Sequence, residues 1–239
     1  MKKFLTTNTL KYIAITAMIF DHIAMFFMSS NINPITCSIF RTIGRLTAAI
    51  MCYFIAEGFY YTHSKSKYAL RLGVFALISQ PAYTLAHQKT LATLNLLTDW
   101  NVIFTLFIGL CTLCCYKSIS NSFLKWASIV LLIALSSMGD WGIIAPIWIL
   151  IFYIFRNDNK KKFGIFALLA GLEVLSDISF MIYKYNCWYA ELWQAGIFLV
   201  IPLLLMYNGK KGNTNAYHKS IFYIYYPLHL LLIGLIKLL

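Results

Sequence analysis

An all-α, polytopic membrane bundle of about nine transmembrane helices is the fold class this sequence predicts, and three observations predict it. Sixty per cent of the 239 residues are hydrophobic, 12% are charged and the mean hydropathy is +0.71, the composition of a chain whose main solvent is lipid. Apolar runs long enough to enter a bilayer recur along the chain between short polar breaks. Basic residues gather in every second break.

The first span, 10–28, reads LKYIAITAMIFDHIAMFFM and follows Lys2 and Lys3. No small-residue cleavage site comes after it, so a retained signal anchor is expected and not a removed signal peptide. The second, 37–61, opens with two arginines and closes on a glutamate and paired tyrosines. The third and fourth, 68–86 and 101–116, are apolar runs broken by Pro81 and by a cysteine-rich stretch, LFIGLCTLCCY. The fifth and sixth, 122–138 and 140–156, are short and separated only by Met138-Gly139-Asp140, as a tight hairpin or re-entrant pair would be. The last three are expected at 163–182, 191–207 and 219–238. No long polar stretch suggests a second folded region, so residues 1–239 are expected to form one integral membrane domain.

The charge pattern orients the bundle. Placing the N-terminus in the cytoplasm puts Lys2, Lys3, Lys11, Lys65, Lys67, Arg71, Lys117, Lys125, Arg156, Lys160, Lys161, Lys162, Lys210, Lys211 and Lys219 inside. Only Lys89, Lys184 and Lys237 fall outside. An odd number of spans, with the C-terminus outside, preserves that alternation, and the expected location is the cell membrane. Because the basic residues sit in separate loops, they form no continuous face for nucleic acid, which is excluded as a partner. Prolines 81, 146, 202 and 227 are scattered one to a span and no internal repeat is visible, which counts against a repeat-built carrier.

Ionisable residues inside apolar runs are costly, and that makes them candidates for function. Asp21 and His22 lie in the outer half of the first span, roughly 9 Å of helix rise from its end. Arg41 and Arg45 lie in the outer turns of the second span, and a spacing of four places both guanidinium groups on one helical face. Gly44 beside them allows a helix or ligand to approach closely. The plainer roles are snorkelling to headgroups and neutralising Asp21. His22, with an ordinary pKa near 6.5, is the better general base, although a core histidine holding a structural hydrogen bond reads the same way. Glu57, near the cytoplasmic end of its span, suits either a pair with Lys65 or Arg71 or the entry of a cytosolic donor. His229 follows Tyr226 and Pro227, and proline frees a carbonyl beside the imidazole. Asp140 suits a helix cap better than a ligand contact. Cys111, Cys114 and Cys115 have no histidine or carboxylate at ligand spacing, so no metal site is expected. Cys37 and Cys187 both fall near outer ends, and their pairing stays open. The phosphate loop, zinc-protease and serine-elbow motifs do not occur.

Together these strings resemble the TraX family, the membrane proteins that include the F-pilin acetylase. The resemblance is carried by Leu10-Lys-Tyr-Ile and Phe20-Asp-His, Ile43-Gly-Arg-Leu, and Phe54-Ile-Ala-Glu-Gly-Phe-Tyr-Tyr. Leu70-Arg-Leu, Ala76-Leu-Ile-Ser-Gln-Pro, Asn101-Val-Ile-Phe-Thr and Asp140-Trp-Gly continue it. Gln194, Tyr207-Asn-Gly and Phe222-Tyr-Ile-Tyr-Tyr-Pro-Leu-His-Leu complete it over nearly the whole chain. Thr47-Ala-Ala-Ile stands where the family is expected to carry a Phe-Pro pair.

The resemblance implies a transmembrane acyltransferase that takes acetyl from acetyl-CoA. Catalytic roles fall to His22, Asp21, Arg45 and Arg41, and donor-binding roles to Glu57, Arg71, Asn101, Tyr226 and His229. The expected partners are acetyl-CoA, an extracytoplasmic peptide (such as a pilin N-terminus) or glycan acceptor, and membrane lipid, with a second copy of the chain as a further candidate. The competing reading is a proton-coupled carrier or lipid flippase using Asp21, Glu57 and His229 as a relay. Sidedness is testable by labelling single cysteines with an impermeant reagent on intact cells. Cysteines at Asn31 and Lys89 are expected to react and those at Lys161 and Lys210 to be spared; reaction of the latter pair reverses the topology.

Overall fold

The structure, a computed structural model, describes residues 2–27, 34–88, 98–213 and 216–238, and among them every regular element is helical. In chain order the α-helices are α1 (Thr7–Phe27), α2 (Pro34–Gly44), α3 (Leu46–Tyr61), α4 (Lys65–Gln88) and α5 (Val102–Ser118). There follow α6 (Ser122–Ser136), α7 (Ile144–Ile154), α8 (Asn159–Tyr185), a 3₁₀ segment (Leu192–Leu199), α9 (Val200–Leu205) and α10 (Ala216–Leu238). Each expected span is met by helix. The second is split into α2 and α3, and the eighth is the 3₁₀ segment running into α9. Asn31, Lys89 and the side chain of Lys219 lie outside the described residues.

Among those residues, three stretches are long and apolar enough to cross a membrane: Thr7–Phe26, Pro34–Tyr61 and Asn159–Tyr185. The others are shorter. The clearest departure is the expected span 140–156, of which only the 11 residues of α7 are helical. Their rise is about 16 Å, against about 30 Å of hydrocarbon. The cause is upstream. Trp100 donates its N–H to the Met138 carbonyl at 2.8 Å, and Asp140 donates back to Trp100 at 2.8 Å. This clip holds the connector to the start of α5, and Trp141 and Gly142 then turn through positive φ before α7 can begin. In place of length α7 has burial, since Ala145, Trp148, Ile149 and Phe152 are almost wholly enclosed.

The chain forms two compact units. Unit 1 comprises Met1–Met51 and Phe155–Asn213. There α1 packs on α2, and Leu10, Ala14, Ala17 and Ala24 of α1 are all at most 1% exposed. Small residues at helical spacing let the backbones come close, and the Thr47 hydroxyl donates to the Ala14 carbonyl at 3.0 Å. The 3₁₀ segment packs on α2 and on α8. Gly196 makes the first contact, because a Cβ there would lie 2.8 Å from the Thr42 carbonyl carbon. Asp158 caps α8 by accepting from Lys161 N–H at 3.0 Å, a bond that holds its carboxyl below the ordinary range.

Unit 2 comprises Cys52–Ile154 and Thr214–Leu239, with α10 packed on α4, α4 on α5, and α5 on α6 and α7. Its polar centre is Asn101, fully buried at the N-terminus of α5. The Asn101 side-chain oxygen accepts from Ile103 and Phe104 N–H at 3.0 and 3.3 Å. Its NH₂ donates to the Ala76 carbonyl at 2.8 Å and to Gln80 Oε1 at 2.7 Å. Gln80 in turn donates to the Asp99 carbonyl at 2.6 Å. In a chain this apolar, that knot ties α4 to the start of α5 with no polar group wasted.

The pairings inside each unit join chain ends that the charge count puts on one side. The Leu5–Tyr207 bridge unites two inner ends, while the Trp100–Gly139 bridge and the bond from Lys237 to the Ala86 carbonyl unite outer ones. Replacing Asn101 by Ala removes a cap worth about 1 kcal/mol and strands buried acceptors worth about 2 more. A loss of roughly 3 kcal/mol is therefore expected in denaturant unfolding of the detergent-solubilised protein; a change below the cap term alone refutes this account.

Candidate functional site

The charged residues of unit 1 converge at what the sequence marks as its outer half. Two consecutive residues on a helix diverge by about 100°, and Asp21 and His22 separate accordingly. Asp21 turns to α2, where Gly44 makes room for it: a Cβ at Gly44 would lie 2.6 Å from the Asp21 carboxyl carbon. His22 sets its ring 5.6 Å from Phe26, one turn further along α1.

Arg45 stands at the joint between α2 and α3. Its N–H still bonds the Arg41 carbonyl at 3.1 Å, so the two arginines keep the four-residue stacking that their spacing predicts. Arg45 pairs with Asp21 at 3.6 Å, both side chains about 85% buried, and donates to Gln194 Oε1 at 3.2 Å. Both guanidinium groups rest on the Trp193 ring, Arg41 at 3.9 Å and Arg45 at 4.6 Å from its centroid. Like charges so close repel, and the electron-rich ring face offsets part of that cost.

Carboxylates offset the remainder. Gln194 donates to Asp177 at 3.0 Å and to Glu191 at 3.3 Å. Glu173, one turn before Asp177 on α8, is also within electrostatic reach of Arg45. Two arginines thus face four of the eight carboxylates in the chain. Asp21 Oδ1 and Arg41 Nε, both in the cluster, are buried with no hydrogen-bond partner among the described residues. Buried polar atoms are usually satisfied, so the cluster has hydrogen-bonding capacity left for a bound group.

Unit 2 holds the other expected residues. His229 Nδ1 meets the Tyr225 carbonyl at 2.9 Å, which makes Nδ1 the donor and leaves Nε2 the acceptor in the neutral ring. Tyr225 stacks on the imidazole at 4.6 Å with the planes 7° apart, and Tyr226 meets its edge at 5.6 Å. Glu57 and Tyr226 are buried, and Arg71 lies over Tyr68 at 5.5 Å. Asn101, expected to touch a donor molecule, has both amide protons and both carbonyl lone pairs used by the protein and none left to offer. Two inner-side lysines are likewise committed to the protein. Lys65 donates to the Phe59 and Thr62 carbonyls at the end of α3, and Lys162, only 4% exposed, to the Arg156 carbonyl at 3.0 Å. All six cysteines, Cys37 and Cys187 included, are free thiols.

With this geometry in view, the comparisons with known proteins are decisive about kinship. The family described as TraX protein matches residues 6–237. The chain belongs to the TraX family. It is 34% identical over 232 residues to the probable fimbrial assembly protein FimC, serogroup H1, of Dichelobacter nodosus, covering 94% of this chain and 92% of that protein. No solved structure matches the chain. With three membrane-length apolar helical stretches, this TraX-family chain is a membrane protein.

Sequence reasoning singled out Asp21, His22, Arg41 and Arg45, and the structure joins Asp21 to Arg45 and both arginines to one ring. It missed Trp193, Glu173, Asp177 and Glu191. The signal was present, since two carboxylates four residues apart in the apolar run 163–182 are as conspicuous as Asp21. Gly44→Ala is expected to force Asp21 aside and lower stability by about 1–3 kcal/mol in thermal unfolding. Gly164→Ala, where nothing lies within 4 Å, is the control and should raise stability by about 0.5–1 kcal/mol through helix propensity. Equal effects at the two glycines contradict the packing assigned to Asp21.

Proposed function

We propose that this protein is a membrane-embedded acetyltransferase, moving acetyl from cytosolic acetyl-CoA to an amine or hydroxyl on the outer side of the cell membrane. The observation that carries the reading is the cluster of Asp21, Arg41, Arg45, Trp193 and Gln194, with His22 next to Asp21 in the chain. Asp21 pairs with Arg45 and both guanidinium groups rest on Trp193, with Asp21 Oδ1 and Arg41 Nε still able to bond. Family membership supports the reaction class. The name of the Dichelobacter relative supports a fimbrial or pilin subunit, through its peptide or a glycan on it, as the acceptor.

In this reading His22 takes the proton as the acceptor nitrogen or oxygen attacks the thioester carbonyl. The new bond to carbon forms, the carbon–sulfur bond breaks, and CoA leaves with the proton that His22 returns to its sulfur. Arg45 and Arg41 are suited to hold the oxyanion between these steps, because guanidinium groups fixed on a ring and a carboxylate need no reorganisation when charge appears. Asp21 holds Arg45 in place. Glu57, Arg71, Tyr226 and His229 remain the candidates for holding the donor.

The test is release of free CoA by protein reconstituted in liposomes with acetyl-CoA and a pilin peptide. His22→Ala should lower turnover by about 10²–10⁴-fold, the usual worth of a general base, while the melting curve stays that of the parent. Activity near that of the parent refutes the assignment of His22. Solute movement across the liposome without acetyl-CoA, and no CoA release with it, favours the carrier reading.

A further inference from the structure

The amide of Gln194 stands between a guanidinium group and two carboxylates of unit 1. Its Oε1 accepts from Arg45 at 3.2 Å, while its Nε2 donates to Asp177 Oδ2 at 3.0 Å and to Glu191 Oε2 at 3.3 Å. A glutamine carries two N–H donors and a carbonyl acceptor, so one side chain serves all three neighbours. Their charges fix which way round it sits. Turned over, its N–H groups would face a guanidinium and its oxygen two carboxylates. The neighbours come from separate places: Asp177 from α8, Glu191 from just before the 3₁₀ segment, and Arg45 from the joint between α2 and α3.

What the amide withholds is charge. Arg45 already pairs with Asp21 at 3.6 Å and rests on the Trp193 ring at 4.6 Å. A second carboxylate in the place of Gln194 would fasten the guanidinium too, but would cancel the charge that a new anion must meet, and the more so among apolar side chains. A neutral bond fastens it without that loss. We propose that Gln194 is a positioning residue: it orients Arg45 on the Trp193 ring and holds the Asp177 and Glu191 carboxylates on its own far side, leaving the guanidinium charge for the oxyanion of the transfer step. The proposal rests on the acetyl-transfer reading above, in which Arg45 meets that oxyanion. Gln194 itself touches no reacting atom and acts through Arg45.

The test measures CoA release by the full chain in liposomes with acetyl-CoA and a pilin peptide across a pH series, beside melting curves of each variant in detergent. Q194E should lower kcat about 10–100-fold with KM nearly unchanged, the usual cost of losing a group that orients another. At neutral pH it should also melt below the parent, because Asp177 and Glu191 lose their donor. Lowering the pH protonates the new carboxylate, whose O–H and C=O then copy part of the amide, so its kcat relative to the parent's at the same pH should rise. The charged groups around this position, namely Arg41, Arg45, Asp21, Glu173, Asp177 and Glu191, are common to both proteins. Q194M, which cannot titrate, should be slow at every pH. Q194E/D177N/E191Q restores donors around the new carboxylate and should melt as the parent does yet stay slow, which separates charge from folding. Parent-like kcat in Q194M or in Q194E/D177N/E191Q, or a ratio of Q194E to parent that is flat with pH, overturns the proposal. If the parent itself releases no CoA, the acetyl-transfer reading fails instead and the melting curves decide the placement. A Q194E deficit that closes at low pH then upholds it, and a Q194E as stable as the parent at every pH overturns it.

Discussion

In a chain this apolar, backbone groups and charges enclosed among apolar side chains depend on partners within the protein, and much of the structure is arranged around that requirement. The ends of the helices show it most simply. Lys65 closes α3, Lys162 the turn after α7 and Lys237 the end of α4, each by donating to backbone carbonyls. Asn101 and Asp158 serve helix N-termini. Lysine in these places is both a topology signal and a cap, and its aliphatic stem suits the surroundings that the ammonium would avoid.

The same requirement explains why Asp21 and Arg45 are found together. Alone, either would be expensive among alanines and phenylalanines. Paired at 3.6 Å and joined by Gln194 to Asp177 and Glu191, they become a network whose members fix one another. Such networks are a poor source of net stability, because desolvation opposes the attraction. Their value is in placement: α1, α2, α8 and the 3₁₀ segment each contribute a member, so the packing of unit 1 and the geometry of the cluster are set by the same contacts.

Much of this was legible in the sequence, for physical reasons that differ by residue. The apolar runs mark helices because lipid admits few other structures. The four-residue spacing of Arg41 and Arg45 survives the break between α2 and α3, since the hydrogen bond that defines it is kept. That break itself was not readable, since Gly44-Arg45-Leu46 continues an apolar helical pattern; Gly44 reads as a place of close approach, and the group it admits is the Asp21 carboxylate. The brevity of α7 was hidden for a similar reason, because the clip between Trp100 and Met138–Asp140 pairs residues almost forty positions apart. Asn101 was visible as a motif but not as a cap, since its worth depends on Gln80.

The 3₁₀ segment is where these constraints meet. Leu192–Leu199 has the composition of an ordinary apolar helix, yet it must deliver Trp193 under two guanidinium groups, Gln194 to Arg45 and Gly196 against Thr42. In a 3₁₀ helix a turn takes three residues, so Trp193 and Gly196 eclipse on one face, and that face is the one toward α2. An α-helix would turn Gly196 about 60° away from the line of Trp193 and break one of the two contacts. The tighter winding is therefore matched to the partner surface: the arginine pair above and the close backbone approach below select it over the geometry that composition alone would favour.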